Sequence, residues 1–304
     1  MYDIIVVGAG VAGMTAALYG VRSGKKVLVL ESDTIGGQIA MSPRVENFPT
    51  IKQISGEELA NGIFEQITEL GVDFELEKVE KIEKIGDMFS VTSDYAVREA
   101  KSVILATGAK ARQIGVEGEN ELIGHGVSYC AVCDGAFYAG EEVALIGDAN
   151  TALQYGILLS NTCKKVYVLT LFDRFFGENS LVETLKSRQN VEIYHNLELQ
   201  KFLTTDGELS GLVFQNTVDK TMKCLNVKGV FIAVGQSPDN EAFANLVVID
   251  DNGYIVADEK CETATKGLFV AGDTRTKYSR QLTTAIADGS TCGINANRYI
   301  DSLK

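Results

Sequence analysis

Cys130 and Cys133 are separated by two residues in the stretch "SYCAVCDG", and Asp134 follows at once. A Cys-x-x-C pair in a helical turn brings two sulfurs within bonding distance, and a thiolate at a helix N-terminus is stabilised by the dipole. Such a pair suits thiol–disulfide exchange or zinc binding. Zinc would require two more ligands at similar spacing. Cys163, Cys224, Cys261 and Cys292 stand singly, and His125 and His195 show no ligand spacing, so no metal is expected. The pair reads as a redox pair. Asp134 is placed to supply or accept the proton that exchange requires, and it also fits a helix-capping acid; the two roles are compatible.

A second chemistry lies at the N-terminus. "YDIIVV" is a β-branched run suited to a buried parallel strand; "GAGVAG" follows, then a helical stretch from about Val11 to Ser23 and a second strand, "KKVLVLE". The glycines let backbone approach a pyrophosphate seated on the positive end of the helix, and Glu31 is placed to accept ribose hydroxyls. "SVILATGA" and "GLFVAGDT" are two more buried strands that end in Gly beside a small polar residue. Ligands of doubly wound sheets lie at the carboxyl ends of strands, so all three turns can converge on one large dinucleotide.

The elements that must position these groups form an α/β protein with two Rossmann-like doubly wound domains, the second inserted into the first. "EEVALIGDANTALQYGILLSNTCKKVYVLTL" repeats the strand, turn, helix and strand order, and "VKGVFIAVGQSPDN" is a later strand ending in Gly235. The first domain is expected over 1–112 and 245–304, the second over 113–244. With 304 residues and 45% apolar composition the chain can fill two cores. A formal charge of −13 lacks the basic footprint that nucleic acid or an anionic membrane surface demands. No run is long enough to span a bilayer, and Asp3 stands where a signal peptide would be positive, so a cytoplasmic protein is expected.

"GAGVAG", "GGQ" (Gly36 to Gln38), "VENFP" (Val45 to Pro49), "ATGA", "CAVCDG", "GLFVAGD" and "RQLTTAIADG" fall in order from Gly8 to Gly289. Together they resemble the low-molecular-weight thioredoxin reductases, which are flavoprotein disulfide reductases. "CAVCDG" is the most specific of these motifs, because relatives that use the same scaffold for other acceptors typically lack it. The resemblance implies FAD, with Gly8, Gly10, Ala12 and Gly13 at the pyrophosphate and Glu31 at the adenosine ribose. It puts Gly37, Gln38 and Asn47 on the flavin side and the backbone of Val79 at the adenine. Thr107 and Gly108 would close one side; Gly272 and Asp273 would meet the ribityl chain and phosphate end, with Arg280 and Gln281 near the isoalloxazine. It further implies that Cys133 faces the flavin, that Cys130 attacks thioredoxin, that the second domain rotates between two positions, and that the protein is a homodimer.

The second domain departs from the NADPH-dependent members, which carry a G-G-G-[DNS]-[ST]-A turn and His-Arg-Arg with a further Arg after the next strand. Here the turn reads Gly147-Asp148-Ala149-Asn150-Thr151-Ala152, and Thr170, Leu171, Phe172 and Phe176 hold the basic positions, with Arg174 out of register. Each charge-assisted bond to a 2′-phosphate contributes roughly 1.5–3 kcal/mol, so losing three cations weakens NADPH binding by several powers of ten. The subgroup of ferredoxin-dependent flavin thioredoxin reductases is similar in keeping FAD and Cys-x-x-C without NADPH motifs, which implies reduced ferredoxin as donor. Docking of an acidic ferredoxin would call on a basic patch drawn from Lys164, Lys165, Lys186 or Arg188. Three other readings stay open: an NAD(P)H enzyme with a degenerate motif, a diflavin enzyme using Tyr155, Phe172 or Phe175 for stacking, and a non-catalytic redox-sensing flavoprotein.

Overall fold

A computed structural model describes residues 1–42, 45 and 47–303. The first unit begins with β1 (Tyr2–Val7), α1 (Val11–Arg22), β2 (Val27–Glu31), α2 (Gly56–Glu69), β3 (Asp73–Leu76), β4 (Val79–Ile85), β5 (Met88–Ser93) and β6 (Val97–Leu105). The second comprises β7 (Val127–Ser128), α3 (Ala131–Asp134), β8 (Glu142–Ile146), α4 (Asn150–Leu159), β9 (Lys165–Leu169), α5 (Asn179–Lys186) and β10 (Val191–Tyr194), then β11 (Leu197–Thr205), β12 (Glu208–Asn216), β13 (Met222–Leu225) and β14 (Gly229–Ile232). The chain then returns to the first unit with β15 (Leu268–Val270) and α6 (Leu282–Ser302).

In the first unit β3, β2, β1, β6 and β15 run parallel, and the other half of β6 continues antiparallel into β5 and β4. Successive residues of one strand point to opposite faces, so an uninterrupted apolar strand must be covered on both. Ile4 and Val6 of β1 enter a core beneath α1 and α6, with Val27, Val29 and Ile104. Ile5 and Val7 enter a second core with Leu28, Leu30, Val103 and Leu105, closed by Val79, Ile82, Phe89 and Val91 of the antiparallel strands.

The second unit repeats the plan. Its sheet is parallel throughout, in the order β10-β9-β8-β14-β7. Val143 and Leu145 face Leu153 and Leu159 of α4 and Leu185 of α5. Ala144 and Ile146 face Leu199, Phe202, Leu212 and Phe214 of the antiparallel sheet β11-β12-β13.

The compact units are Met1–Lys110 with Ser237–Lys304, and Ala111–Gln236. The return therefore lies eight residues before the expected 245, and the departure two before 113. Packing explains the difference. Phe243 is buried in the second core of the first unit, and Asn240 Nδ2 donates to the carbonyls of Gly253 (2.9 Å) and Thr274 (3.3 Å). Among the described residues no helix is long and apolar enough to cross a membrane.

Candidate functional site

The first unit holds a cradle at the carboxyl ends of β1, β6 and β15. Gly8 has φ +106°, and a Cβ on it would come 2.4 Å from the Ala106 carbonyl oxygen; a Cβ on Gly13 would come 1.9 Å from that of Gly8. These two glycines let the helix start pack directly on the strand ends. Gly10 differs, since a Cβ there would meet nothing within 4 Å. Its bareness keeps space open in front of α1, whose N-cap is Gly10 itself and whose first turn has no side-chain cap and no acid. Free N–H groups at a helix start suit an anionic phosphate.

The other expected residues surround this space. Gly36 pairs with Gly10 in a β-bridge, and a Cβ on Gly37 would come 3.6 Å from the Gly10 Cα. Glu31 is buried and accepts N–H bonds from Ala9 (2.6 Å) and Asp33 (2.9 Å). A Cβ on Gly272 would lie 2.9 Å from the Ala12 Cβ. The Thr107 hydroxyl bonds Asn240 (3.2 Å) and Thr274 (2.9 Å), while Gly108 adopts φ +69° over open space. Gln38 donates to the Ala109 carbonyl. Asn47 Nδ2 meets Gln281 Oε1 at 3.4 Å, which joins two of the residues expected on the flavin side. Glu46 of "VENFP" lies outside the described residues. Val79 has its side chain in the core and its backbone in register with Ser93.

A buried ion cluster fixes the turn after β15. Asp288 of α6 accepts the Gly272 N–H (3.0 Å), Arg275 through Nε (2.9 Å) and Nη2 (2.8 Å), and Lys277 Nζ (2.8 Å). Burial alone would raise the Asp288 carboxyl, but the Arg275 and Lys277 hydrogen bonds outweigh it and hold the group below the usual range. The turn thereby presents Asp273, whose Oδ1 is buried and has no hydrogen-bond partner among the described residues. Burial pushes the Asp273 carboxyl up, against the pull of Lys277 and Arg280. Arg280 lies over the Tyr254 ring at 3.9 Å. A buried acceptor without a donor calls for a hydroxyl-bearing ligand. Open space at Gly10, the uncapped helix and the waiting Asp273 fit a dinucleotide with a polyol chain. Asp288, Arg275 and Lys277 were not singled out from sequence, although Asp288 lies inside "RQLTTAIADG".

In the second unit Cys130 and Cys133 are joined as a disulfide, Cα–Cα 5.3 Å, both half-buried. The helical turn is short: α3 has four residues and passes into a 3-10 turn, Gly135–Tyr138. Cys130 is its N-cap, and its sulfur accepts the Cys133 N–H at 3.2 Å. Asp134 adjoins the pair as expected. Its Oδ2 accepts the Ser128 hydroxyl at 2.6 Å, and Oδ1 is buried with no hydrogen-bond partner among the described residues. Burial raises the Asp134 carboxyl, and the Ser128 bond pulls it part of the way back. Among the described residues no group of three His, Cys, Asp or Glu is arranged to hold a metal.

The turn after β8 keeps its shape. Gly147 takes φ +153°, and its Cβ would strike the Ala233 carbonyl at 2.5 Å. Asp148 and Ala149 follow, and the segment after β9 lies against them. Phe176 N–H donates to the Asp148 carbonyl (2.7 Å), Glu178 N–H to Asn150 Oδ1 (2.7 Å), and a Cβ on Gly177 would lie 2.4 Å from Leu153. Burial pushes the Asp148 carboxyl up, and a backbone hydrogen bond pulls it part of the way back. Leu171, Phe172 and Phe176 are 46%, 49% and 54% exposed, and the two rings meet edge to face at 5.2 Å with Arg174 over Phe176. Phe175 turns away onto His195, and Tyr155 sits partly buried against the helix-side core. Three of the four residues offered for a basic patch have acidic partners: Lys164 with Glu142 (2.8 Å), Lys165 with Glu192 (2.6 Å) and Lys186 with Glu183 (3.4 Å). The fourth, Arg188, has Nε buried with no hydrogen-bond partner among the described residues.

Residues 2–289 match the family model described as pyridine nucleotide-disulphide oxidoreductase. The chain is 36% identical over 304 residues to a thioredoxin reductase of Listeria monocytogenes, covering all of this chain and 95% of that protein. It is 36% identical over 299 residues to a 34.2 kDa protein in a rubredoxin operon of Clostridium pasteurianum, covering 98% and 97%. The crystal structure of thioredoxin reductase from Streptococcus pyogenes matches with a TM-score of 0.95 at 36% identity over 99% of both chains. The chain therefore belongs to the pyridine nucleotide-disulphide oxidoreductase family, as an FAD flavoprotein of the low-molecular-weight thioredoxin reductase type with two Rossmann-like domains.

Proposed function

We propose that the protein reduces thioredoxin through Cys130 and Cys133 and draws its electrons from reduced ferredoxin instead of NADPH. The observation that carries the donor assignment is the turn at Asp148. A carboxylate stands where phosphate should approach, and exposed Phe172 and Phe176 stand where a 2′-phosphate needs cations. The redox turn, by contrast, keeps both cysteines, the acid and its hydrogen bond. Decay to a non-catalytic sensor would have reached these groups too. The relative from a rubredoxin operon is consistent with an iron protein as electron carrier.

Bound FAD supplies the ability to take electrons one at a time and release two together. Two reduced ferredoxins give one electron each, and two protons come from solvent. Cleavage of the Cys130–Cys133 bond consumes both electrons and both protons and leaves two thiols. Cys130, as thiolate, then attacks one sulfur of the thioredoxin disulfide, and the displaced sulfur takes a proton. Attack by Cys133 on the mixed disulfide restores the Cys130–Cys133 bond and frees the second thiol. Asp134 handles the proton at these sulfurs. Gly8, Gly10, Ala12 and Gly13 would hold the pyrophosphate, Glu31 the ribose and Asp273 the ribityl hydroxyls. Gly37, Gln38, Asn47, Thr107, Gly108, Arg280 and Gln281 would line the flavin side, with the Val79 backbone toward the adenine. We place the protein in the cytoplasm, where its four other thiols stay reduced, and take it to be a homodimer like others of its type.

The test is anaerobic. NADPH, NADH and reduced ferredoxin are added separately while the flavin band is followed. Only ferredoxin should bleach it quickly; rapid bleaching by NADPH at micromolar concentration overturns the donor assignment. The exposed Phe172–Phe176 pair favours one second reading, a further flavin on this face, which two flavins per chain would establish.

A further inference from the structure

Proton transfer at the cysteines requires a carboxyl group held in one orientation, and the residue that holds Asp134 lies outside the Cys-x-x-C motif. Ser128, the last residue of β7, is 5% exposed. Its hydroxyl oxygen lies 2.6 Å from Asp134 Oδ2, accepts the Cys130 N–H at 3.0 Å, and lies 3.5 Å from the Cys130 carbonyl. A hydroxyl has one hydrogen, and the carboxylate at 2.6 Å takes it in preference to the distant carbonyl. One side chain thus ties the carboxylate to the backbone of the attacking cysteine.

We propose that Ser128 is a positioning residue for thiol–disulfide exchange, occupying Asp134 Oδ2 so that the buried, unpartnered Oδ1 is the oxygen that carries the proton. This rests on the reading of Cys130 and Cys133 as the thioredoxin-reducing pair. In the forward step Asp134 Oδ1 takes the proton from the Cys130 thiol as its sulfur attacks. The substrate S–S bond breaks with its electron pair on the leaving sulfur, and Oδ1 returns the proton there.

The bond from Ser128 favours the charged carboxylate and opposes burial. Two other titratable groups act on the site. Tyr138, in the following 3-10 turn, is pushed up to about 12 by burial and by Asp134 and Glu208. Tyr155 of α4 is raised by burial and by Asp134. Glu208 is itself paired with exposed His125 at 2.9 Å. Both tyrosines are neutral at working pH, and no cation in this set compensates the carboxylate. Removing the Ser128 hydroxyl therefore keeps Asp134 protonated to higher pH, where it cannot act as base.

The measurement is single-turnover reduction of thioredoxin by enzyme first reduced chemically to the dithiol, which makes it independent of the donor. Wild type, Ser128→Ala, Ser128→Thr and Asp134→Asn are compared across the pH range. The limb that requires the carboxylate should move to higher pH in Ser128→Ala, with rates about tenfold lower on its acid side, the loss of one charge-assisted hydrogen bond. Ser128→Thr, which keeps the hydroxyl, should restore the wild-type limb, and Asp134→Asn should lack it. An unmoved limb in Ser128→Ala, or failure of Thr to restore it, overturns the proposal. If the wild-type dithiol does not reduce thioredoxin, the proposed function falls, and the same series against a small aromatic disulfide still decides the role of Ser128.

Discussion

Replacing Phe172 and Phe176 by arginine, together with Asp148→Gly, should give the second unit a measurable preference for NADPH over NADH. Both rings are about half exposed, so their removal costs the fold roughly 1 kcal/mol of burial each, plus about 0.5–1.5 kcal/mol for their edge-to-face contact. The contacts that hold the segment are backbone bonds or belong to other residues: Phe176 N–H to the Asp148 carbonyl, and Glu178 N–H to Asn150. They survive all three substitutions. Each guanidinium can donate to a 2′-phosphate for roughly 1.5–3 kcal/mol, and solvent exposure keeps each at the lower end. Two such bonds amount to about 3 kcal/mol, or about two powers of ten in affinity, for the phosphorylated nucleotide alone. Fluorescence titration of the oxidised variant with NADPH and NADH reads the ratio directly. Equal affinities in the triple variant would refute the assignment of these positions, and tight NADPH binding by the unsubstituted protein would refute the account of their loss.

Cys133→Ser should leave the flavin reducible by the physiological donor while thioredoxin turnover disappears; surviving turnover in a coupled ferredoxin assay would remove Cys133 from the mechanism. Gly13→Ala puts a Cβ 1.9 Å from the Gly8 carbonyl oxygen, so the helix must lift from the strand end at about 1–3 kcal/mol. Flavin absorbance per chain after gel filtration should fall, and full retention of FAD would show that the cradle does not depend on this contact.

Local patterns were the legible part of this chain. Strand, glycine turn and helix follow one another within a few residues, so "IIVVGAGVAG" announces both an element order and a phosphate cradle. Cys130, Cys133 and Asp134 are read together for the same reason. What escaped notice depends on pairing between distant segments. Asp288 reaches Gly272 and Arg275 only because α6 packs against the turn after β15. Lys165 meets Glu192 because β9 and β10 pair in parallel, so one of the four cations named for a ferredoxin contact stands beside an acid. Residues 237–244 have no long periodic element to mark the return to the first unit, and burial of Phe243 ties them to its core. Ser128 was in view as the residue opening the redox stretch, yet its bond to Asp134 exists only once α3 has turned the carboxyl back toward β7.

Under the proposed donor assignment, the second unit keeps a physical role through α4. This helix begins at the Asp148 turn, and its other end supports the redox turn. Leu159 is 1% exposed, and a Cβ on Gly135 would come 3.0 Å from its Cδ2; Tyr155, one turn earlier, lies close enough for Asp134 to raise its hydroxyl. Residues 148–149 can differ without altering the packing of residues 155–159 beneath the redox turn. Leu159→Ala should therefore act on the cysteines and leave the FAD cradle alone. A buried Leu→Ala change costs about 2–5 kcal/mol, so the variant should melt earlier and reduce thioredoxin more slowly while its flavin content stays at wild-type level. If melting falls but single-turnover reduction keeps its wild-type rate at a temperature where the variant is folded, α4 is a passive layer and its survival needs another cause.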